Sequence, residues 1–245
     1  MATKHLTRRE LKREDTIYST LSKASSALQQ RTSLVITIVG VIVAAVLGFF
    51  LWRNYEQSRD VQAQKQFGDA LELYHGAVVG SSPSTQSQSN RPLFASEEEK
   101  YRKALDKFNQ VYQRYPSRKI GILALYYTAL SQHNLKNDKE AMRILQQLDK
   151  SSDAEVRSLA RGALADLYRA NKMNEQAMQT YQSMLKDPEN RYPKDALLAS
   201  MGQTAEAMGR NSEAAGYYQR LAREHAQSTY VSEAQARLAV LKPPK

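Results

Sequence analysis

The sequence contains no cysteine, which removes disulfides, thiolate metal sites and thiol catalysis together. That absence suits a periplasmic chain as well as a cytosolic one, so it does not decide the compartment. Glycine and proline are sparse, at 10 and 7 of 245 residues. Ala, Leu, Gln, Glu, Lys and Arg are plentiful, a composition that favours helices over a sheet. The four histidines, His5, His75, His133 and His225, fall in different segments, and HExxH, GxSxG, GxxxxGK(S/T) and GxGxxG are all missing. An enzyme needs convergent ionisable groups, so catalysis is not expected, nor is a cofactor or a metal. The acidic run Glu97-Glu98-Glu99 reads as the start of a helix, where it offsets the dipole, rather than as a ligand set.

Against these absences stands one long uncharged run, TSLVITIVGVIVAAVLGFFLW, from Thr32 to Trp52. About 20 apolar residues span a hydrocarbon core of roughly 30 Å as a helix. Thr37 is the one polar residue in its interior, so a buried soluble helix with a polar face does not fit. Arg31 and Arg53 bracket the run, and Trp52 and Tyr55 stand where an interfacial aromatic belt would lie. We therefore expect a basic cytoplasmic tail over 1–31 and a transmembrane signal anchor over 32–53 in a single-pass protein. The tail carries Lys4, Arg8, Arg9, Lys12, Arg13, Lys23 and Arg31 against three acids; the twenty residues after Trp52 carry only Arg53, Arg59 and Lys65. Positive charge resists translocation, so the N-terminus is expected in the cytoplasm and the C-terminal part across the membrane.

The Arg8-Arg9 pair behind Thr7 raises the alternative of a cleaved twin-arginine signal. It lies more than twenty residues ahead of the apolar run, which is itself long enough to span, and Phe49-Phe50-Leu51-Trp52-Arg53 offers no small-residue cleavage site. Thr7 and Glu10 instead fit a capping box that starts a short basic helix at the membrane surface.

The net charge of +10 raises nucleic acid as a partner. Beyond the tail, 28 basic and 22 acidic residues remain, interspersed as in RSLARGALADLYRANK rather than gathered into a stripe. No nucleic acid is expected. Membrane lipid enters only through the anchor.

Residues 54–80 continue a helical pattern, with Ala63, Phe67, Ala70, Leu71 and Tyr74 at three- and four-residue spacings. This juxtamembrane helix either packs on the repeats further along the chain or stands as a stalk. The preferred arrangement is one continuous helix that ends as the first helix of a first hairpin. The Ser/Gln-rich stretch 81–96, which includes SSPSTQSQSN, would be an enlarged flexible loop within that hairpin.

The chain then repeats. Ala104, Ala141, Ala177 and Ala214 begin four similar segments at spacings of 37, 36 and 37 residues. Four residues later stand Phe108, Leu145, Tyr181 and Tyr218; three further on stand Val111, Leu148, Met184 and Leu221. Twelve residues before the last three alanines are Ala129, Ala165 and Gly202, with polar turns between. Small residues on both helices of a hairpin let the backbones approach, and the bulky pair fills the groove against the next hairpin. No single hairpin buries its own apolar face, so stacking creates the core. Pro116, Pro188 and Pro193 fall near the junctions, where helices stop. The expected fold is all-α: a single N-terminal transmembrane helix, then an α-solenoid over 97–226, then a C-terminal capping helix and tail over 227–245.

This pattern resembles the tetratricopeptide repeat, whose period is about 34 residues, with two or three residues added per hairpin. The resemblance implies a concave groove for protein partners lined by the first helices. Its groove positions fall on Tyr126, Leu130, His133 and Asn134 in one hairpin, Asp166 and Arg169 in the next, and Gln203 and Glu206 in the last. The basic cluster needed to clamp chaperone C-termini is missing. With its anchor and the Trp52-Arg53-Asn54-Tyr55 junction, the chain resembles the bacterial inner-membrane tetratricopeptide-like family that includes the ancillary subunit of the SecYEG translocon. That likeness implies a non-catalytic scaffold assisting translocation or periplasmic chaperoning, with the SecYEG translocon, secreted clients or periplasmic chaperones as partners. Two other readings stay open: a cell-envelope scaffold for division or outer-membrane assembly, and a self-associating structural anchor forming a homo-oligomer.

Overall fold

The structure is a computed structural model, and it describes residues 32–80 and 92–241. The basic tail, with Arg8-Arg9 and the Thr7/Glu10 capping box, lies outside the described residues, as does the Ser/Gln run at 81–91. The chain divides into two compact units, residues 1–60 and 61–245.

The first unit holds the apolar part of helix α1, Thr32–Tyr74. From Ile36 onward it is long and apolar enough to cross a membrane. Its large side chains are exposed, Ile36 at 70%, Phe50 at 62% and Trp52 at 61%.

The second unit is built from helices. Among the described residues it contains the last turns of α1, a short parallel pair β1 (Ala77–Val78) and β2 (Leu93–Phe94), and then eight helices. These are α2 (Glu97–Arg114), α3 (Lys119–Asn134), α4 (Asp138–Leu148), α5 (Ala154–Ala170), α6 (Asn174–Lys186), α7 (Lys194–Ala207), α8 (Asn211–Glu224) and α9 (Val231–Leu241). The fold is all-α and solenoidal: α3 pairs with α4, α5 with α6 and α7 with α8, and the first helices of these hairpins touch one another.

Local chemistry sets the starts. Ser96 caps α2 by accepting from the Glu99 N–H, while the Glu99 carboxylate reaches back to the Ala95 N–H at 3.0 Å. The acids at 97–99 therefore serve a helix start, supplemented by the pairs Glu98–Arg102 and Glu99–Lys103 four residues apart. Asp153 caps α5 by accepting from the Glu155 and Val156 N–H groups.

The three hairpin turns share one geometry. Lys136, Lys172 and Gly209 each adopt positive φ, at 65°, 61° and 72°, at repeat spacings of 36 and 37 residues. Each is followed by a residue whose N–H reaches five residues back: Asn137 to Gln132, Met173 to Tyr168 and Arg210 to Ala205, all at 2.8–2.9 Å. This is the Schellman closure of a helix C-terminus. Glycine suits the left-handed residue, and two turns carry lysine there at a steric cost.

The repeat positions are the core. Phe108, Val111, Leu145, Leu148, Tyr181, Met184, Tyr218 and Leu221 are 0–4% exposed, and Ala104, Ala141, Ala177 and Ala214 are fully buried. Ala129 and Ala165 are also at 0%. At the third small position, a Cβ on Gly202 would run into the Tyr218 ring.

The last turns of α1 pack as the first helix of the first hairpin. Ala63, Phe67 and Ala70 are buried with Ala104, Phe108 and Ala124. Rings bind this corner: Phe67 lies 5.7 Å from Phe108 and 5.6 Å from Tyr127, and Tyr74 lies 5.3 Å from Tyr101. Phe108 stacks on Tyr127 at 5.1 Å. Two details differ from the sequence expectation. The helix ends at Tyr74, short of residue 80, and Leu93–Phe94 pairs with Ala77–Val78 instead of belonging to a loop. Phe94 is buried, at 4% exposed, and its strand lies against α2.

Replacing Lys136 or Lys172 by glycine is expected to raise stability by about 1 kcal/mol each, and Gly209→Ala to lower it by a similar amount. Denaturant melts of the detergent-solubilised chain read both signs. Gly202→Ala is expected to cost about 1–3 kcal/mol by overpacking against Tyr218. A melting temperature equal to that of the unaltered protein would contradict so close an approach of ring and backbone.

Candidate protein-binding groove

Between the first helices α3 and α5 lies a cavity of about 330 Å³. Tyr126, Leu130 and His133 reach it from α3, and Asp166 and Arg169 from α5. Leu145 of α4 helps to floor it. The cavity has a cause in the repeat. At the position four residues after the alanine, the later hairpins carry Tyr181 and Tyr218, whose hydroxyls reach back to a carboxylate on their own first helix. Tyr181 donates to Asp166 at 2.6 Å, and Tyr218 donates to Glu206 at 2.7 Å. The hairpin of α3 and α4 has the smaller Leu145 there.

The structure brings five of the eight sequence-derived positions together at this cavity: Tyr126, Leu130, His133, Asp166 and Arg169. Asn134 faces elsewhere. Its amide donates to the Leu130 carbonyl at 2.8 Å and to the Tyr74 hydroxyl at 3.3 Å, and it lines a separate polar cavity of about 470 Å³ with Glu98, Arg102 and Gln132. Gln203 and Glu206 meet the capping helix α9 instead. Gln203 donates to Glu233 at 3.0 Å, and Arg237 binds Glu206 with its guanidinium.

One contributor was not legible from helix spacing. Tyr192 enters the cavity from the loop before α7. The loop is pinned by the Tyr192 N–H on the Asn190 side chain at 3.1 Å and by the Arg191 N–H on the Ser158 hydroxyl at 2.9 Å. Its ring lies over Gly162, where a Cβ would collide with it. A glycine inside an otherwise good helix was the available signal, since it costs about 1 kcal/mol relative to alanine and needs a packing reason.

The electrostatics of the groove are nearly neutral. Burial pushes the Tyr192 phenol up to about 12 and raises Tyr126 and Tyr181 well above the usual phenol range, Asp166 adding to the shift of Tyr181. Burial also opposes the charge on Asp138, but its hydrogen bonds to His133 and Asn171 prevail and hold it below the ordinary carboxylate value. His133 Nδ1 lies 2.7 Å from Asp138, so the histidine is braced against its own hairpin turn. Among the described residues no group of three His, Asp or Glu side chains is arranged to hold a metal ion.

The matched family model is that of the tetratricopeptide repeat-like domain, over residues 28–242. The chain belongs to this family. Repeats of this kind act as protein-interaction scaffolds. Similar solved structures are two crystal structures of nearly identical tetratricopeptide-like repeats from a putative kinesin light chain of Podosopora anserina, one of them a variant with a single substitution. The variant aligns with a TM-score of 0.53 at 15% identity, covering 74% of this chain and 84% of that one. The other gives 0.52 at 15%, covering 74% and 85%. At that identity the likeness is one of fold. No curated protein gave a match.

Arg237 beside Glu206, with Tyr218 donating to the same carboxylate, holds Glu206 below its ordinary 4.5. A depressed acid stabilises the fold above its unfolded pKa and loses that contribution as pH falls through the folded one. Hydrogen exchange in α9 is therefore expected to be flat above pH 4.5, once corrected for intrinsic rates, and to accelerate below it. Glu206→Gln should remove that acid-dependent step and leave α9 faster at neutral pH.

Proposed function

We propose that this chain is a membrane-anchored, non-catalytic scaffold of the bacterial inner membrane. Its repeat domain lies in the periplasm, where it binds protein segments that are being translocated or handed to periplasmic chaperones. The observation that carries the proposal is the gathering of Tyr126, Leu130, His133, Asp166 and Arg169 around one cavity in a chain that also carries an apolar helix of membrane-spanning length. The excess of Lys and Arg before Thr32 over that after Trp52 supports a cytoplasmic N-terminus. We assign contact with the protein partner to Tyr126, Leu130, His133, Asp166 and Arg169. Asn134, Gln203 and Glu206 stand on the same first-helix series but outside this cavity, Asn134 at a separate polar cavity and the other two against α9.

A groove of this size and near-neutral lining binds weakly by itself. The anchor compensates: restricting a weak binder to the surface where its partner emerges raises its effective concentration there. The SecYEG translocon is the proposed neighbour, and secreted clients or periplasmic chaperones are the proposed occupants of the groove.

The test is crosslinking of the full-length protein in intact cells, followed by identification of the attached proteins. Recovery of channel subunits or translocating chains, reduced several-fold by the combined replacement of Tyr126, His133 and Arg169, is the expected result. Recovery of division or outer-membrane assembly proteins instead would overturn the translocation role. Recovery of only a second copy of the chain would make it a self-associating anchor.

A further inference from the structure

The cavity between α3 and α5 has donors to spare and few free acceptors. Asp166 is already bound by the Tyr181 hydroxyl at 2.6 Å, and His133 is braced on Asp138 at 2.7 Å. Arg169 meets the Asp166 carboxylate at 3.5 Å and lies beside the Tyr181 hydroxyl. Its Nε, fully enclosed, has no hydrogen-bond partner among the described residues. The Tyr126 and Tyr192 side chains line the same space, and their phenols are protonated at neutral pH and able to donate. Beneath them lies an apolar floor of Ala129, Leu130, Leu145, Ala163 and Leu167. At about 330 Å³ the space holds one large side chain and its neighbour, not a folded surface.

We propose that this cavity takes an extended polypeptide segment in which Asp or Glu stands beside a large apolar residue. The apolar side chain covers the floor, and the carboxylate accepts from the Arg169 guanidinium and the tyrosine hydroxyls. With its Nε enclosed, the guanidinium meets the carboxylate through its Nη groups, and charge-assisted bonds of this kind are the strong ones. A single arginine next to Asp166 suits one negative charge and disfavours a polyanion such as nucleic acid. The inference rests on the scaffold reading and adds to it the chemistry of the bound segment.

The experiment uses the full-length chain in lipid nanodiscs and three fluorescent, unstructured peptides, identical except that a central leucine is flanked by Glu, Gln or Lys. Anisotropy titrations are expected to show the Glu peptide binding about tenfold tighter than the Gln peptide, and the Lys peptide weakest. Arg169→Gln should bring Glu and Gln peptides to within about threefold of each other. Arg169→Lys, which keeps the charge and loses the fork, should fall between. Tyr126→Phe with Tyr192→Phe should weaken the Glu peptide and spare the Gln peptide. Circular dichroism melts confirm that each variant folds. Equal binding of Glu and Gln peptides to the unaltered protein, or a preference that survives Arg169→Gln, overturns the acidic specificity. In that case the groove reading still stands if Ala163→Trp, which fills the floor, abolishes binding of both. Peptides that bind Ala163→Trp as well as they bind the unaltered protein would remove the cavity as their site and overturn the proposal.

Discussion

Close approach of two helix backbones within each hairpin is the constraint on which the rest of the second unit depends. Ala129 with Ala141, Ala165 with Ala177, and Gly202 with Ala214 place small side chains at equivalent points, all of them buried. Once the backbones are that near, the residue four positions after each alanine has only one place to go. It enters the layer between its own first helix and the next hairpin, and there it is sealed from water. A hairpin that held its helices farther apart would leave this layer with voids, and close packing makes such voids costly.

The polar chemistry derives from the same geometry. Tyr181 and Tyr218 are long enough to cross the layer and end on Asp166 and Glu206, so a buried ring brings a hydroxyl to a carboxylate on the groove face. Leu145 cannot do this, and a cavity opens beside it. The groove is thus uneven for a reason internal to the repeat. One layer is short by a phenol, and the space is lined by side chains from the adjoining elements, including Tyr192 from a loop.

The repeat was legible because its residues act through contacts that recur at fixed spacing; Ala104, Ala141, Ala177 and Ala214 all lie where that spacing put them, and so do their bulky followers. The helix Val231–Leu241 falls within the segment 227–245, where the alanines and leucines of the sequence, rather than the repeat spacing, suggested a cap. The parts that escaped are those determined by contacts between segments far apart in sequence. Whether Ala63, Phe67 and Ala70 packed or stood free could not be read from their spacing, since either arrangement satisfies it; the rings of Phe108, Tyr101 and Tyr127 decide it. The pairing of Ala77–Val78 with Leu93–Phe94 involves two residues on each side, too few for a pattern. Of the groove positions, Tyr126, Leu130, His133, Asp166 and Arg169 share a cavity that Tyr192 from a loop also lines, whereas Asn134 turns to Leu130 and Tyr74 and Gln203 and Glu206 find partners on α9.

The contacts made by α9 also bear on how such a chain can change length. Glu233 and Arg237 bind Gln203 and Glu206 on α7, one first-helix position reaching the next. The joint is side-chain chemistry on a repeating backbone, so it makes no demand on the hairpins further back. An array with nearest-neighbour joints can gain or lose a unit of 36 or 37 residues at that seam while leaving every other layer in register. Duplication at such a joint would give descendants whose grooves differ in reach but share the same cavity between α3 and α5.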